Sequence, residues 1–395
     1  MKKHARVLAL SALLAVVPMA AHAQETNLNL TFSTLVTTPL AIEGLTSDYA
    51  GNLYTAGRST TNGEACPVWR IPMESPSLNV VGLIPAPSST ATCSPSGLQF
   101  GPDGMLYVTQ TDRIYRFRPA TSGTPPTAEV FATGVPGTNG LAFDRSGNLW
   151  TGDGTTGLGR VWKISTNGTV AEMFRIPPMA NEVSLASGIG GVGRDVRSLP
   201  PGTITVTPTS RNATNTLGSQ PLVANGVQIT RRGNILIVDT ARGAVWGVYL
   251  KDGGVDSRMG CDSTFTANTL CLDSVFVAHP AIEGADGFVL DEAGNMWIDA
   301  NERNAVVFVS AWGDVIEVFR NPPDATTKLR NKGPLETPTS PVLVDHKLCT
   351  ANSDGNRRDN SPNTEGEIGG PGQPKGKISC LDQRVNTPGM VLPLR

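Results

Sequence analysis

Six residues that carry a side-chain oxygen recur at matching places along the sequence. They are Glu43, Ser96, Asn139, Asn225, Asp286 and, less regularly, Ser340. None of them is basic. Grouped at one point, such oxygens suit a hard cation, which prefers oxygen ligands at about 2.3–2.6 Å. The plain alternative is that Asn, Asp and Ser before glycine are ordinary turn residues, although glutamate is not a turn former.

Each of the six precedes a copy of one pattern: an apolar strand, a short turn with Gly or Asn, and a second strand rich in β-forming residues. The copies read Gly44-LTSDYAGNLYTAG, Gly97-LQFGPDGMLYVTQ, Gly140-LAFDRSGNLWTGD, Gly226-VQITRRGNILIVD, Gly287-FVLDEAGNMWIDA and, more weakly, Pro341-VLVDHKLCTAN. The turn glycines are Gly51, Gly104, Gly147, Gly233 and Gly294. Glycine tolerates the positive φ of tight turns, so these sites predict β-hairpins.

Third and fourth strands follow several of the hairpins. Four strands per unit predict an all-β fold: a six-bladed β-propeller with four-stranded antiparallel blades around a central channel. In this fold the first strands line the channel, so the six oxygens should converge at its mouth. Strands within Asn27–Thr38 and near Met390–Leu394 are expected to close the ring. We interpret residues 177–222 as an insertion and 353–377 as a long loop.

Composition supports this interpretation and excludes other classes. Among 395 residues, Gly 43 and Pro 30 argue against a helical bundle. Lys+Arg 32 nearly balance Asp+Glu 34, and there is no basic block, so we expect no nucleic-acid partner. No apolar run outside the N-terminus is long enough to cross a membrane. One propeller domain is predicted over residues 24–395.

The N-terminus has the features of an export signal. A basic start is followed by the apolar stretch Val7–Val17 and by Ala21-His22-Ala23, the small-x-small pattern of a cleavage site. We therefore predict a signal peptide over residues 1–23 and a periplasmic or secreted protein. An even number of cysteines in an exported chain suggests three disulfides. Of the 15 pairings that six cysteines allow, pairing by proximity gives 66–93, 261–271 and 349–380.

Histidine chemistry is restricted. After cleavage only His279 and His346 remain, and both lie in predicted loops. A three-His zinc site is thereby excluded, and a Ser-His-Asp triad would need one of these two loop residues.

The segments Glu43-GLTSD, Asn139-GLAFDRSGNLW, Asn225-GVQITRRGNILIVDT and Asp286-GFVLDEAGNMWIDA resemble the regucalcin/gluconolactonase family of six-bladed propellers. The resemblance implies hydrolysis of a small-molecule lactone or related ester by means of one divalent metal ion, Ca²⁺ in the first place and Zn²⁺ in the second. It implies Glu43, Asn225 and Asp286 as metal ligands, with the metal polarising the carbonyl and Asp286 activating water.

Other positions are assigned more loosely. The resemblance implies that Asn139 contacts the substrate or the water on the metal, and we add Ser96 as a second substrate contact. Asp239 and Asp153, at the ends of second strands, could hold the ring of mouth residues in place through contacts with them, or could be turn residues. The same two interpretations apply to Glu283, three residues before Asp286. Sugar-lactone members often carry a basic residue where this chain has Gly137.

Three functions stay open from the sequence. The first is the exported, metal-dependent lactone or ester hydrolase. The second is a non-catalytic propeller that binds a protein, a glycan or a small ligand. The third is a strictosidine-synthase-like or lyase-type enzyme, which a basic or histidine residue at the channel mouth would favour. Fold alone cannot choose among them.

Overall fold

The computed structural model describes residues 30–178, 220, 222–326, 329–354, 360 and 375–392. Over these ranges it consists of six four-stranded antiparallel sheets, with one small additional hairpin. The predicted six-bladed β-propeller is confirmed. The expected signal peptide, most of the 177–222 insertion and most of the 353–377 loop lie outside the described residues.

The strands follow the chain from blade to blade, and each blade runs from the channel outward. Strand β1 (Phe32–Thr38) comes before the first blade. Blade 1 contains β2 (Ile42–Ser47), β3 (Asn52–Gly57), β4 (Cys66–Pro72) and β5 (Asn79–Ile84). Blade 2 contains β6 (Pro95–Phe100), β7 (Leu106–Gln110), β8 (Arg113–Phe117) and β9 (Glu129–Thr133). Blade 3 contains β10 (Thr138–Phe143), β11 (Leu149–Asp153), β12 (Arg160–Ile164) and β13 (Val170–Arg175).

The fourth blade is the irregular one. It contains β14 (Val227–Ile229), β15 (Ile235–Asp239), β16 (Ala244–Val248) and, as its outer strand, β19 (Val275–Ala278). A small hairpin of β17 (Leu250–Lys251) and β18 (Gly254–Val255) intervenes. Blade 5 contains β20 (Ala285–Leu290), β21 (Met296–Ala300), β22 (Ala305–Val309) and β23 (Val315–Arg320). Blade 6 contains β24 (Pro338–Val344), β25 (Lys347–Asn352) and β26 (Gly376–Leu381).

The N-terminal strand closes the ring. β1 pairs antiparallel with β26 and so becomes the outer strand of blade 6, which joins the two ends of the propeller. This is the strand expected within Asn27–Thr38. Of the second closing strand, expected near Met390–Leu394, the structure describes residues up to Leu392, and these form no strand: Gly389 makes an isolated bridge with Asp291, and the N–H of Met390 donates to the carbonyl oxygen of Leu290 at 3.0 Å.

The hairpin turns have the predicted conformation. Gly51, Gly104, Gly147, Gly233 and Gly294 have φ values of 81°, 74°, 81°, 85° and 85°. An aspartate fixes the best-formed turn, because Asp144 accepts hydrogen bonds from the backbone N–H of Ser146 at 2.9 Å and from Trp150 Nε1 at 2.9 Å. In this copy the Asp-x-x-Gly-Asn-x-Trp pattern ties the turn to the strand after it, whereas in the copy that begins at Asp291 the indole Nε1 of Trp297 makes no such bond.

Glycines hold the inner strands close together around the channel. A Cβ on Gly44 would lie 2.0 Å from the carbonyl oxygen of Ser96, and one on Gly287 would lie 2.4 Å from that of Thr339. Both contacts are with backbone of the next blade and cannot yield by a side-chain rotation. In blades 1 to 5 the glycine at this position is therefore needed to bring neighbouring first strands together.

Gly287→Ala tests this packing. We expect it to lower the free energy of unfolding by about 1–3 kcal/mol, the usual cost of overpacking. Gly247→Ala is the matched control, because a Cβ at Gly247, in β16, would meet nothing closer than 3.8 Å. Chemical denaturation of both variants provides the measurement. Equal stabilities would contradict the packing argument.

Three disulfides staple the propeller, with the pairing predicted by proximity. They join Cys66 to Cys93, Cys261 to Cys271 and Cys349 to Cys380, with Cα–Cα distances of 5.8, 5.5 and 4.0 Å. The last bond crosses directly between β25 and β26, where the two cysteines are register partners. Three disulfides are what an exported protein would carry. Among the described residues, no helix is long and apolar enough to span a bilayer.

Candidate functional site

Four of the sequence-predicted residues line one cavity at the channel mouth. The cavity has a volume of about 440 Å³, and Glu43, Asn139, Asn225 and Asp286 all contribute to its wall. They come from the first strands of blades 1, 3 and 5 and from the segment just before β14 in blade 4. Residues far apart in sequence thus meet at one point, as the propeller topology requires.

The ring has a different member in blade 6. Thr339, and not Ser340, lines the mouth cavity, whereas Ser340 lines a second cavity at the other end of the channel. The register explains the difference: Ser340 takes the place that glycine holds in the other blades, which moves the mouth position back by one residue. Thr339 Oγ1 donates to the carbonyl oxygen of Glu43 at 2.7 Å and so supports that residue's backbone.

Ser96 is buried at 6% exposure and does not belong to the described lining of the mouth cavity. Its carbonyl oxygen faces Gly44 of blade 1. The structure therefore gives Ser96 a place in the packing between blades 1 and 2, and its role as a substrate contact has no geometric support.

Arg58 adds to the mouth the basic residue that the lyase-type alternative would need and that the sequence analysis did not place there. A charged guanidinium serves a hydrolase equally well, so its presence alone does not choose between the two. Arg58 follows the last residue of β3, lines the cavity and forms an ion pair with Glu43 through Nη2 and Oε2. Its Nε also donates to the carbonyl oxygen of Pro95, at 3.3 Å. Burial lowers the pKa of Arg58 to about 10, with the negative charge of Asp286 acting in the opposite direction. The guanidinium is therefore charged at neutral pH.

Glu43 is held from two sides. Its Oε2 meets Arg58, and its Oε1 accepts a hydrogen bond from Asn139 Nδ2 at 2.9 Å. Both carboxylate oxygens are therefore engaged by donors of this chain. Asn139 in turn lies close to Asn225, since a Cβ on Gly154 would be 2.9 Å from Asn139 Nδ2 and 2.8 Å from Asn225 Oδ1.

Asp286 carries a buried carboxyl group whose pKa lies near neutral pH. Burial raises the pKa of its carboxyl to about 7, while hydrogen bonding from Asn301, the charge of Arg58 and hydrogen bonding from Asn225 oppose that rise. Asn301 Nδ2 donates to Asp286 Oδ2 at 2.8 Å. A carboxyl poised near pH 7 can accept a proton from water and return it to a leaving group.

Two buried side-chain oxygens beside Asp286 have no hydrogen-bond donor among the described residues. They are Asn225 Oδ1 and Asp299 Oδ1. Asn225 is anchored by its other atom, because Nδ2 donates to Thr240 Oγ1 at 3.1 Å. Asp299 lies in β21, and Thr350 donates a hydrogen bond to its Oδ2. Burial and the charge of Asp286 raise the pKa of Asp299 well above its ordinary value, which favours the neutral acid.

The two aspartates predicted behind the ring hold loops. Asp239 is fully buried and pairs with Arg242, whose Nη1 lies 2.9 Å from Asp239 Oδ2, and Trp246 Nε1 donates to the same oxygen at 3.1 Å. Asp153 pairs with Arg160 Nε at 2.9 Å and also accepts from Thr156. These contacts account for both aspartates without a direct part in the cavity.

The other spare groups lie elsewhere. Glu283 is buried and is not part of the described cavity wall. His279 accepts from the N–H of Ala281 at 3.1 Å, and His346 Nδ1 lies 2.7 Å from the carbonyl oxygen of Val385. Both histidines are loop residues, and neither belongs to the described lining of the mouth cavity.

The residues that sequence analysis missed share one location. Arg58, Asn301, Glu302 and Asp354 follow the second strands of their blades and line the cavity. In an antiparallel hairpin the end of the second strand lies beside the start of the first, as the pairing of Ile42 with Gly57 shows. Polar residues just after each second strand were therefore the signal that could have identified them.

Charge in the described part of the cavity wall is mostly negative. Four carboxyl groups, from Glu43, Asp286, Glu302 and Asp354, share this wall with the single cationic side chain of Arg58. Burial raises the pKa of Asp354 to about 6. The second cavity, of about 360 Å³ at the other end of the channel, is lined mainly by glycine and aliphatic residues. The mouth cavity is therefore the stronger candidate site.

The propeller is similar to several solved structures. Regucalcin from Agrobacterium tumefaciens, described as a calcium-binding protein, is 16% identical, with a TM-score of 0.54 over 92% of this chain and 97% of that chain. A gluconolactonase from Xanthomonas campestris is 14% identical, with a TM-score of 0.50 over 92% of this chain and 90% of that chain. The PQQ-bound aldose sugar dehydrogenase from Streptomyces coelicolor is 14% identical, with a TM-score of 0.52 over 89% and 98%.

No protein-family model matches the chain, and a comparison with curated proteins finds no match. At these identities the structural likeness shows the fold alone. The six-bladed propeller typical of the regucalcin/gluconolactonase family is thus confirmed for this chain. The fold is shared with an enzyme of a different reaction class, so the chemistry has to be argued from the cavity.

Proposed function

We propose that the protein is an exported hydrolase that opens a small, neutral lactone or a related ester in the mouth cavity. One observation carries this proposal: the buried carboxyl of Asp286, with a pKa of about 7, shares the cavity with the guanidinium of Arg58. A proton acceptor assists the attack of water on a carbonyl, and a positive charge in the same cavity stabilises the oxyanion that forms.

The size and charge of the cavity favour a small neutral substrate. A volume of about 440 Å³ falls in the usual range of about 300–1,000 Å³ for small-molecule sites. Four carboxyl groups against one guanidinium disfavour an anionic substrate. Hydrolysis of a neutral lactone produces a carboxylate. The carboxyl groups of the cavity wall repel this anion, so the negative charge that tolerates a neutral substrate also favours release of the product.

Asp286 is proposed as the catalytic base. Its Oδ2 is fixed by Asn301, which orients the carboxylate and supports its charged form. The carboxylate accepts a proton from water as the water oxygen attacks the carbonyl carbon. When the ring C–O bond breaks, the protonated Asp286 returns that proton to the leaving oxygen. Asn139, which contacts Glu43 in the cavity wall, is proposed to hydrogen-bond the substrate.

The divalent cation predicted for Glu43, Asn225 and Asp286 needs a test against the geometry. The unpartnered, buried Oδ1 of Asn225 would suit such an ion. Glu43, however, has both oxygens engaged, by Asn139 and Arg58. The described residues also contain no group of three or more His, Cys, Asp or Glu side chains that could hold a metal. As arranged, these residues do not fit a divalent cation, and the reaction proposed above has no metal step.

Export follows from two features. The basic and apolar start of the sequence predicts a signal peptide over residues 1–23, and the three disulfides fit an oxidising compartment. We propose a periplasmic or secreted location. Cell fractionation with N-terminal sequencing of the mature protein tests it, and an N-terminus at Gln24 is the expected result.

A substrate panel tests the hydrolase. We expect the mature protein to hydrolyse at least one five- or six-membered lactone or one aryl ester. The rate is measured as the release of acid. Because Asp286 must be deprotonated, kcat/KM should rise about tenfold per pH unit below pH 7 and level off above about pH 7. Spontaneous hydrolysis is subtracted at each pH. No turnover across the panel, together with direct binding of a ligand in the cavity, would favour the non-catalytic propeller.

A further inference from the structure

Arg58 is a cation built into the mouth cavity by the fold. It is the first residue after β3, and its backbone N–H donates to the carbonyl oxygen of Ala41 at 2.8 Å. The register of β2 and β3, in which Ile42 pairs with Gly57, places Arg58 beside the strand that carries Glu43. Its side chain therefore becomes part of the cavity wall.

Two neighbouring blades fix the guanidinium. Nη2 is paired with Glu43 of blade 1, and Nε donates to the carbonyl oxygen of Pro95 of blade 2, at 3.3 Å. The side chain keeps about 30% of its surface accessible, so part of the group still faces the cavity. Its charge also acts on Asp286, across the channel in blade 5. Arg58 is thus held by Glu43 while its field reaches the proposed base.

Both carboxylate oxygens of Glu43 are already engaged by donors of this chain. Oε1 accepts from Asn139 at 2.9 Å and Oε2 is paired with Arg58. A divalent cation on Glu43 would have to displace a guanidinium that is always charged, and any cation near it would be repelled by that charge. The site therefore already contains the positive charge for which a metal would be needed.

We propose that Arg58 takes the place of a divalent cation in this cavity and receives the carbonyl oxygen of the substrate. The first half stands on the contacts of Arg58 and Glu43, and the second half rests on the proposed hydrolase function. As water attacks the carbonyl carbon, the electron pair of the C=O bond moves to oxygen, and the guanidinium N–H groups stabilise the resulting oxyanion. The pair returns when the ring C–O bond breaks, and Asp286 protonates the leaving oxygen.

Cation titration tests the first half without any substrate. Chelator-treated wild-type protein is titrated calorimetrically with Ca²⁺ and, separately, with Zn²⁺. We expect no site with a Kd below about 1 mM. Arg58→Gln frees Glu43 and should gain one site, and the double variant with Glu43→Gln should lose it again. A wild-type site that disappears in Glu43→Gln would overturn the proposal.

Kinetics tests the second half. Arg58→Gln should lower kcat by about 10²- to 10³-fold, the usual effect of removing one oxyanion donor, and added guanidinium chloride should restore part of the rate. Wild-type activity should be unaffected by EDTA. Activity that falls on chelation and returns with Ca²⁺ or Zn²⁺ would overturn the proposal, as would an Arg58→Gln variant with normal kcat.

One result separates this proposal from the proposed hydrolase function. If the wild-type protein hydrolyses nothing but shows the expected cation titrations, the proposed function fails and the charge replacement stands. Thermal unfolding shows whether each variant is folded. Should Arg58→Gln not fold, wild-type titration and chelation still decide, and Arg58→Lys, which keeps the charge, should bind no cation.

Discussion

Asp286→Asn should abolish most of the proposed hydrolysis, with a loss of about 10²- to 10⁴-fold in kcat, the range for a general acid–base group. The substitution keeps the size of the side chain and an oxygen for the hydrogen bond from Asn301. It removes only the ability to take a proton from water. KM should therefore change far less than kcat, and initial rates across a substrate range provide the measurement.

The same variant should be more stable than the wild type at alkaline pH. Burial raises the pKa of Asp286 from 3.8 to about 7, so the folded state holds this proton more tightly than the unfolded chain does. Stability then falls as the pH rises from about 4 to about 7, because deprotonation in the unfolded state precedes that in the folded state. Above pH 7 the wild type has to hold a buried carboxylate in its ionised form, and the variant does not. We therefore expect the variant to gain about 1–3 kcal/mol in the free energy of unfolding.

The control for both effects is Asp252→Asn, in the exposed turn between β17 and β18. Asp252 has a φ of 51°, a conformation that asparagine accepts readily. This variant should keep wild-type kinetics and show no pH-dependent gain in stability. An Asp286→Asn variant with normal kcat on an established substrate would remove Asp286 from the mechanism.

The sequence was informative where a pattern repeats. Turn glycines such as Gly51 and Gly147 mark the first hairpins of blades 1 to 5, and the turn after Asp144 is recognisable because its side chains satisfy each other locally. The residues before Gly44, Gly140, Gly226 and Gly287 could be found in the same way, since glycine is needed where first strands approach. Ser96, before Gly97, follows from the same repetition but does not line the mouth cavity, so four of the five residues found in this way lie at the mouth.

What the sequence did not show depends on contacts between blades. Arg58 reaches the mouth from a segment outside the repeated pattern, and its role is visible only once Glu43 and Pro95 are seen around it. Blade 6 lacks the glycine that marks the register elsewhere, so Ser340 was chosen in place of Thr339. The burial of Asp299 beside Asp286 likewise depends on how blade 5 meets blade 6.

The other large effect concerns Asp239, which the sequence analysis placed behind the ring. Asp239→Ala should lower the free energy of unfolding by about 3–5 kcal/mol, because it leaves a charged Arg242 buried without its partner. The side chains of the pair are 0% and 1% exposed, and Asp239 also accepts from the N–H of Arg242 at 3.1 Å and from Trp246. Chemical denaturation provides the measurement.

Two control variants show whether the loss of stability comes from the buried ion pair or from a general sensitivity of the fold to substitution. Arg384→Ala breaks an ion pair with Asp345 whose side chains are 71% and 66% exposed, and should cost less than about 1 kcal/mol. The double variant Asp239→Leu/Arg242→Met removes both buried charges and should recover much of the stability. If the folded Asp239→Ala protein lost activity with little loss of stability, Asp239 would instead belong to the support of the cavity. Because Asp239 and Arg242 satisfy each other outside the mouth, we expect stability, and not catalysis, to carry the effect.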